Sequence, residues 1–284
     1  MTDIAWVTCG EHANLIDTEQ RVVDKLRTSG ISVSPVVWDD QSVEWENFSL
    51  VIIRTAWDYH LKIDQFLVWL EMLESYNINI LNSPDIIRWN HHKFYLRDLE
   101  SKGIDIVESS FVRKNELSVE DILDQTTDRE LIVKPAISAT AYGLTRIDPQ
   151  SPDIQSLMKL EKLSRHNDVI IQDYRSEIAN GEWSLMFFDN AYSHAVIKKP
   201  KNGDFRVQNN FGGISEMAEP GGKVLDQVKE ILIKIDLDLL YARVDGLVVE
   251  GKFILMELEL IEPELFLLTD TIRENFINAI KKRI

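Results

Sequence analysis

The chain holds a single cysteine, Cys9, so it can build neither an intrachain disulfide nor a cysteine-based zinc site. It lacks any apolar run long enough to span a bilayer, and its first residues lack the basic-then-apolar pattern of a signal peptide. The expectation is a cytoplasmic protein with no membrane partner. Basic residues are in deficit: 31 Lys and Arg stand against 47 Asp and Glu, a formal charge of −16. Such a field repels nucleic acid and anionic lipid, so any phosphate site must be a local concentration of Lys and Arg. Repeats and low-complexity segments are absent too. What remains, 44% hydrophobic and 27% charged residues in a chain of 284, is an ordinary globular balance. It is long enough for two domains, or for one domain with a substantial inserted lobe.

The first 80 or so residues read as βαβ order. Strand character over 4–8, 31–38, 50–54 and 78–81 alternates with helical spacing over 17–29 and 64–76, which predicts a small parallel sheet with helices on its faces. Ligands on such sheets bind beyond the carboxyl ends of the strands. Residues 8–11 and 54–59 lie there, and the second group offers Arg54, Trp57, Asp58 and Tyr59 as a substrate-reading loop. In that reading Arg54 holds a carboxylate, Asp58 an ammonium, and the two aromatics shape the pocket. The bland alternative is a surface loop whose tryptophan covers the core edge. Ser83 and Pro84 start a helix, and a second helical segment over 92–101 ends at Gly103. Strands over 104–112, 130–134 and 144–147, with helices over 119–124 and 153–165, predict a small α+β lobe. Residues 169–174, 183–188 and 191–198 read as strands of an antiparallel sheet, followed by a helix from Gly221–Gly222 and a last helix over 271–282.

Two strand-like runs, 241–249 and 252–260, flank Glu250-Gly251 and predict a β-hairpin. Alternation in the second run places Ile254, Met256, Leu258 and Leu260 on a core face, with Phe253, Leu255, Glu257 and Glu259 opposite. A plain two-residue turn would put Asp245 on the face away from Glu257 and Glu259. A three-residue loop, 249–251 with Gly251 left-handed, brings Arg243, Asp245, Glu257 and Glu259 together and is the register preferred here. Carboxylates so crowded raise one another's pKa unless a divalent cation neutralises them, and hard oxygen ligands suit magnesium. A solvated acidic face on a surface hairpin is the alternative. Lys134 ends an apolar strand ahead of a loop of small residues, few of them glycine, running to Gly143, a loop that lets backbone N–H groups approach a phosphate; a lysine that snorkels from a strand end is the alternative. His91, His92 and His194 read as structural, and Glu182 and Ser184 face either the cleft or the core.

In order and spacing, Lys93 in Asn-His-His-Lys, Lys134 in Ile-Val-Lys-Pro, the loop to Gly143, Ile-Gln-Asp-Tyr ending at Tyr174, and Arg243-Val-Asp245 with Glu257-Leu-Glu259 resemble the ATP-grasp superfamily. Residues 203–213, Gly-Asp-Phe-Arg-Val-Gln-Asn-Asn-Phe-Gly-Gly, look like the flexible loop of its glutathione-synthetase and glutamate-tailing (RimK-like) branches. Within that branch, Arg-Thr-Ala-Trp-Asp-Tyr and Met-Glu-Leu-Glu-Leu-Ile-Glu-Pro look most like the cyclo-ligases of cycloserine biosynthesis.

The resemblance implies an α/β fold with a substrate domain over 1–88, a small ATP-grasp lobe over 89–173 and a C-terminal lobe over 174–284 that carries the metal site. It implies ATP as cosubstrate, with Lys93 and Lys134 on the α- and β-phosphates. Gln172, Asp173 and Tyr174 would form the adenine hinge, with Glu177 on the ribose. Arg206 and Arg243 would neutralise the transferred phosphoryl group, and Asp245, Glu257 and Glu259 would carry magnesium, two ions or manganese in its place. Two positions depart from the family pattern: Glu259 where asparagine is common, and Gln208 where asparagine follows the loop arginine. The implied activity is a ligase that phosphorylates the carboxylate of an amino-acid-like substrate and lets a nitrogen nucleophile attack the acylphosphate. Ring closure and intermolecular ligation stay open, as do an uncoupled carboxylate kinase and a nucleotide-binding module without turnover. Dimers are common among such relatives, which keeps a homodimer open, but the sequence itself does not supply the oligomeric state.

Overall fold

A computed structural model of the chain describes residues 3–124, 129–201, 203–208 and 211–284. Strands β1 (Asp3–Thr8), β2 (Ser32–Val37), β3 (Leu50–Thr55) and β4 (Asn79–Leu81) form a parallel sheet in the order β2-β1-β3-β4. Helices α1 (Asp17–Thr28) and α2 (Ile63–Ser75) cover it. All six residues of β3 are buried, as an interior parallel strand packed on both faces requires. The chain then passes through α3 (Pro84–Asn90) and α4 (Tyr95–Ser101).

A second sheet, ordered β5-β8-β6-β7, is built from β5 (Ser109–Val112), β6 (Leu131–Pro135), β7 (Thr145–Ile147) and β8 (Val169–Asp173). Helices α5 (Val119–Asp124) and α6 (Ile154–His166) pack on it through Ile122 and Leu160. Here the sequence expectation needs correction, because β8 pairs antiparallel with β5 and β6 and not with the strands that follow it. The strand expected over 104–112 is also shorter. Its first residues instead bridge to the last sheet, where Val107 N–H donates to Leu255 O and Leu255 N–H to Asp105 O.

The third sheet is antiparallel, ordered β11-β10-β9-β12-β13, from β9 (Glu182–Phe188), β10 (Ala191–Lys199), β11 (Ile214–Met217), β12 (Tyr241–Val249) and β13 (Lys252–Glu259), with α7 (Gly222–Ile235) behind it. Strand β11 is mostly exposed and offers no apolar alternation from which to predict it. The last helix, α8 (Asp270–Lys281), turns back to the first sheet. Phe276 and Ile277 share one core with Trp6 and Ile52 of the first sheet and with Met186 and Phe188 of the third.

The β12–β13 hairpin has the expected facing set but reaches it by another route. Glu250 and Gly251 (φ 51° and 78°) make a two-residue turn with both residues left-handed, and Val249 pairs with Lys252. The odd residue sits further along the strand, where Asp245 pairs with Glu257 and Gly246 with Leu255, so Met256 is a β-bulge. The bulge reverses the alternation of β13. Phe253, Leu255, Leu258 and Leu260 therefore enter the core, and Ile254 and Met256 do not. Gly246 makes the close crossing feasible, since a Cβ there would meet Ile254 O at 2.5 Å.

His194 is packed within this framework. Its Nε2 lies 3.0 Å from Leu265 O, and burial pushes the imidazole down to about 4. As pH falls below the ordinary histidine value, the unfolded chain takes up a proton that the native ring declines, so the native state loses stability between about pH 6.5 and 4. His194→Gln keeps a donor for Leu265 O but cannot titrate, so its denaturation midpoint should change less between pH 7 and 4.5 than the wild type's. An equal change in both proteins would remove His194 as the cause.

Candidate active site

The hairpin forms the floor of a cleft whose far wall is the second sheet. Lys93 precedes α4 and is fastened to the small-residue loop after β6: its N–H donates to Ala136 O at 2.7 Å and its Nζ to Ser138 O at 2.6 Å. Gly143 closes that loop with φ 71°, where a Cβ would lie 2.8 Å from the Pro135 ring. Lys93 Nζ lies 2.8 Å from Glu257 Oε1, and Lys134 Nζ, from the end of β6, lies 3.9 Å from Oε2. Two nearly buried lysines thus converge on one carboxylate. Burial pulls the Lys134 ammonium below its ordinary value, with Glu257 the chief opposing charge. Burial would raise Glu257, but Lys93 and then Lys134 hold it below the usual carboxylate range.

Around Asp245 the charges interlock. Arg243 donates to it at 2.9 Å, Lys198 lies 3.3 Å away, and the Ser184 hydroxyl donates to its Oδ1. Lys198 also meets Glu182 at 2.5 Å, and Arg243 also holds Glu259 and, through Nη1 at 3.2 Å, Glu264 O. Burial would raise Asp245, yet Arg243 and Lys198 hold it at about 2. Burial pushes Glu259 up to about 8 against the pull of Arg243, with Asp245 and Glu257 adding to the rise. The predicted trio Asp245, Glu257 and Glu259 is therefore on one face, but each member is held by a cation of the chain. Among the described residues no group of three or more His, Cys, Asp or Glu is arranged to hold a metal ion. All three offer hard oxygen donors, which fit a divalent cation once the lysines and arginine turn to another anion.

Sequence reasoning missed Lys198 and left Glu182 and Ser184 undecided. The pairings Asp245 with Ser184 and Lys198 with Glu182 put all of them on one sheet face. That signal exists only once the register is known.

Beside the carboxylates lies a pocket with Ile132, Leu144, Ile178, Val207 and Met256 as apolar walls. Gln172 lines it from β8, its amide donating to Ser109 Oγ at 2.9 Å. Tyr174 stacks under the Arg146 guanidinium at 3.9 Å. Asp173 pairs with Arg129, and Glu177 with Arg175 at 3.0 Å. The N–H groups of Asp173 and Tyr174 already donate to Glu108 O and Glu130 O, so neither is free to read a purine edge. Arg206 lines the same cavity, stacked on Phe211 at 3.7 Å, but Asp204 holds its Nε at 3.1 Å and its Nη2 at 2.7 Å. Of the loop predicted over 203–213, residues 209 and 210 lie outside the described residues.

The predicted substrate loop is redistributed. Arg54 is fully buried, bound to Glu19 at 2.8 Å and Pro263 O at 3.0 Å, with Tyr241 and Phe276 rings beside its guanidinium. It cannot read a substrate from there. Asp58 accepts from Trp38 Nε1 and pairs with Lys62, both at 2.8 Å, so the proposed Arg54/Asp58 clamp on a free amino acid is not formed. Trp57 donates its indole N–H to Glu262 O at 2.9 Å and meets the His12 ring. Tyr59 is buried among Trp38 and Phe66 of the aromatic core, yet its phenol lies toward the acidic cluster: burial, then Glu262, Glu259 and Glu257, push it well above its ordinary value.

The segment after β13 is secured by side chains along its length. Carbonyls of Leu258, Leu260, Ile261, Glu262, Pro263, Glu264 and Leu265 are met by Asn90, Asn82, Tyr241, Trp57, Arg54, Arg243 and His194 in turn.

An apolar slot beside paired lysines and crowded carboxylates, clasped between two antiparallel sheets, defines the class: an ATP-grasp ligase, an enzyme that forms a C–N bond with cleavage of ATP to ADP and works with a divalent metal ion. The chain belongs to the family described as prokaryotic glutathione synthetase, ATP-grasp domain, whose model matches residues 96–254. Residues 4–82 match the D-cycloserine synthetase DcsG N-terminal domain. The chain is similar to a cycloserine biosynthesis protein DcsG of Streptomyces lavendulae, 28% identical over 260 residues and 86% of each chain. It is also similar to a glutathione synthetase of Prochlorococcus marinus strain MIT 9313, 26% identical over 57% of this chain and 51% of that one. The crystal structure of D-cycloserine synthetase DcsG shares the fold, with TM-score 0.87 and 24% identity over 99% of both chains. No helix among the described residues is long and apolar enough to cross a membrane.

Burial of the Arg54–Glu19 pair makes a direct prediction. Arg54→Met leaves Glu19 buried without a partner and should lower unfolding stability by about 3–5 kcal/mol. Adding Glu19→Gln should recover part of that loss in denaturant titrations. A variant of wild-type stability with a raised KM for an amino acid would return Arg54 to substrate binding.

Proposed function

We propose that the chain is an ATP- and Mg2+-dependent carboxylate–amine ligase that activates an amino-acid-like substrate as an acylphosphate. The observation that carries this reading is the convergence of Lys93 and Lys134, from separate elements, on Glu257 beside Asp245 and Glu259. Without nucleotide, Glu257 is the counter-charge that keeps two buried ammonium groups tolerable. With it, the lysines turn to the α- and β-phosphates and the carboxylates become free to hold the cation. Magnesium there would supply charge neutralisation at the phosphates. Adenine fits the slot beside Gln172 and Met256, with its edge read past Tyr174, since the N–H groups of Asp173 and Tyr174 are taken. Glu177 would take the ribose after leaving Arg175. Arg243, fixed by Asp245 and Glu259, is pre-aimed at the transferred phosphoryl group, Lys198 stands beside it, and Arg206 would join them on release from Asp204. Positioning and electrostatics of this kind are most of what phosphoryl transfer asks of a protein.

Similarity to a cycloserine biosynthesis protein over 86% of both chains supports ring closure of an amino-acid derivative as the first reaction to test; intermolecular ligation is the second. The assay is ADP release with a panel of amino acids, with hydroxylamine present to trap acylphosphate as hydroxamate. Glu257→Gln keeps an acceptor for Lys93 but loses the charge, so ADP formation should fall by about 100-fold or more while the circular dichroism spectrum is retained. Wild-type turnover in that variant would take the hairpin out of the mechanism. ADP release that no amino acid stimulates, with no hydroxamate, would leave the ligase reading without support.

A further inference from the structure

We infer that Glu262 is the acceptor-side catalytic carboxylate, the group that seats the attacking nitrogen and takes its proton; this rests on the ligase reading above. The first observation is its isolation. Among the described residues the buried carboxylates are Glu19, Glu182, Asp245 and Glu262. Glu19 is paired with Arg54, Glu182 with Lys198, and Asp245 with Arg243 and Lys198, whereas no lysine, arginine or histidine among the described residues lies within ion-pair distance of Glu262. A carboxylate only 8% exposed and without a cation at ion-pair distance is costly to keep, and its own backbone N–H with the more distant Lys93 and Arg243 offsets only part of that cost. A substrate ammonium would offset the rest.

The second observation is its place. Trp57, from the loop after β3, donates its indole N–H to the Glu262 carbonyl at 2.9 Å, and Arg243 donates to the Glu264 carbonyl two residues on at 3.2 Å, so the segment runs between that loop and the cations beside Asp245; the charges of Lys93 and Arg243 and the Tyr59 phenol couple to Glu262. Glu262 thus stands where the phosphate site meets the loop at the carboxyl end of β3. Burial pushes its carboxyl up to about 7, against the pull of Lys93, in keeping with a group that can accept a proton near neutrality.

The third is its rigidity. Irregular segments are the least precise platforms for chemistry, yet the carbonyls from Glu262 to Leu265 and those of Leu260 and Ile261 are each held by a side chain, Trp57 taking that of Glu262 itself. Such bracing fixes the main chain from which the Glu262 side chain projects.

In the step assigned to it, the Glu262 carboxylate takes one proton from the substrate ammonium, which frees the nitrogen lone pair, and the amine attacks the acyl carbon to form a C–N bond. The C–O bond to phosphate breaks, with the electron pair leaving on the phosphate, which takes up the second nitrogen proton and departs as hydrogen phosphate.

The test uses the full chain and Glu262→Gln, which is isosteric with the protonated acid. Each common L- and D-amino acid is offered with ATP as both carboxylate and amine, and hydroxylamine competes as a nucleophile that is already neutral at pH 7. The expected result is a fall of about 100-fold in the ratio of amide to hydroxamate, a raised KM for the amine relative to that for ATP, and partial recovery in Glu262→Asp. Amide and hydroxamate falling together would overturn the assignment, as would an unchanged ratio. A wild-type protein that yields no hydroxamate at all would instead remove the ligase reading, and this assignment with it.

Discussion

One residue out of step in a β-ladder, Met256, sets the geometry of the whole site. Without that bulge the two-residue turn at Glu250 and Gly251 would carry strict alternation to the end of β13, and Glu257 and Glu259 would point into the core behind the sheet. With it, Leu258 and Leu260 take the core positions and both carboxylates turn to the cleft beside Asp245. The displaced Met256 becomes an apolar wall of the neighbouring slot. Gly246 is the local accommodation, because any side chain there would collide with the crossing strand.

The second constraint is charge. Bringing Glu182, Asp245, Glu257 and Glu259 to one sheet face is tolerable only because Lys93, Lys134, Lys198 and Arg243 stand among them. In a buried setting each missing partner is expensive, and each of these carboxylates has a cation beside it. Nothing about these pairings is static in principle, since the same cations serve equally well against phosphate oxygens. The Arg54–Glu19 pair obeys the same rule far from the cleft, where its role is to join the first sheet to the segment after β13.

Residues 4–82 and 96–254 match different families, but the structure does not keep them apart. Helix α8 inserts Phe276 into a core shared by the first and third sheets, and Asn82, Trp57 and Arg54 of the N-terminal part bind the carbonyls that follow the carboxylate strand. A displacement of the first sheet would therefore be felt at Glu257 and Glu259 through contacts to the main chain that follows them, not through the solvent.

Much was legible in the sequence for a definite reason: local patterns report what neighbours in the chain do. Alternating βαβ order, Lys134 at a strand end, and the Asp245, Glu257, Glu259 trio follow from spacing and residue type, and Lys93 from the resemblance to the ATP-grasp superfamily; the structure gathers the lysines and the trio at one cleft. What tertiary structure decided are matters of partner. Arg54 has the same identity whether it greets a substrate or Glu19, and only the approach of α1 and the Pro263 carbonyl makes it a buried strut. Strand β8 could pair forward or back, and the choice rests on β5 and β6, which lie far earlier in the chain. Lys198 and Glu182 become site residues only through the register of β9 against β10 and β12. The bulge at Met256 belongs here as well: alternation in a strand is a two-state code, and a single inserted residue inverts it where packing against a distant core costs less than keeping step.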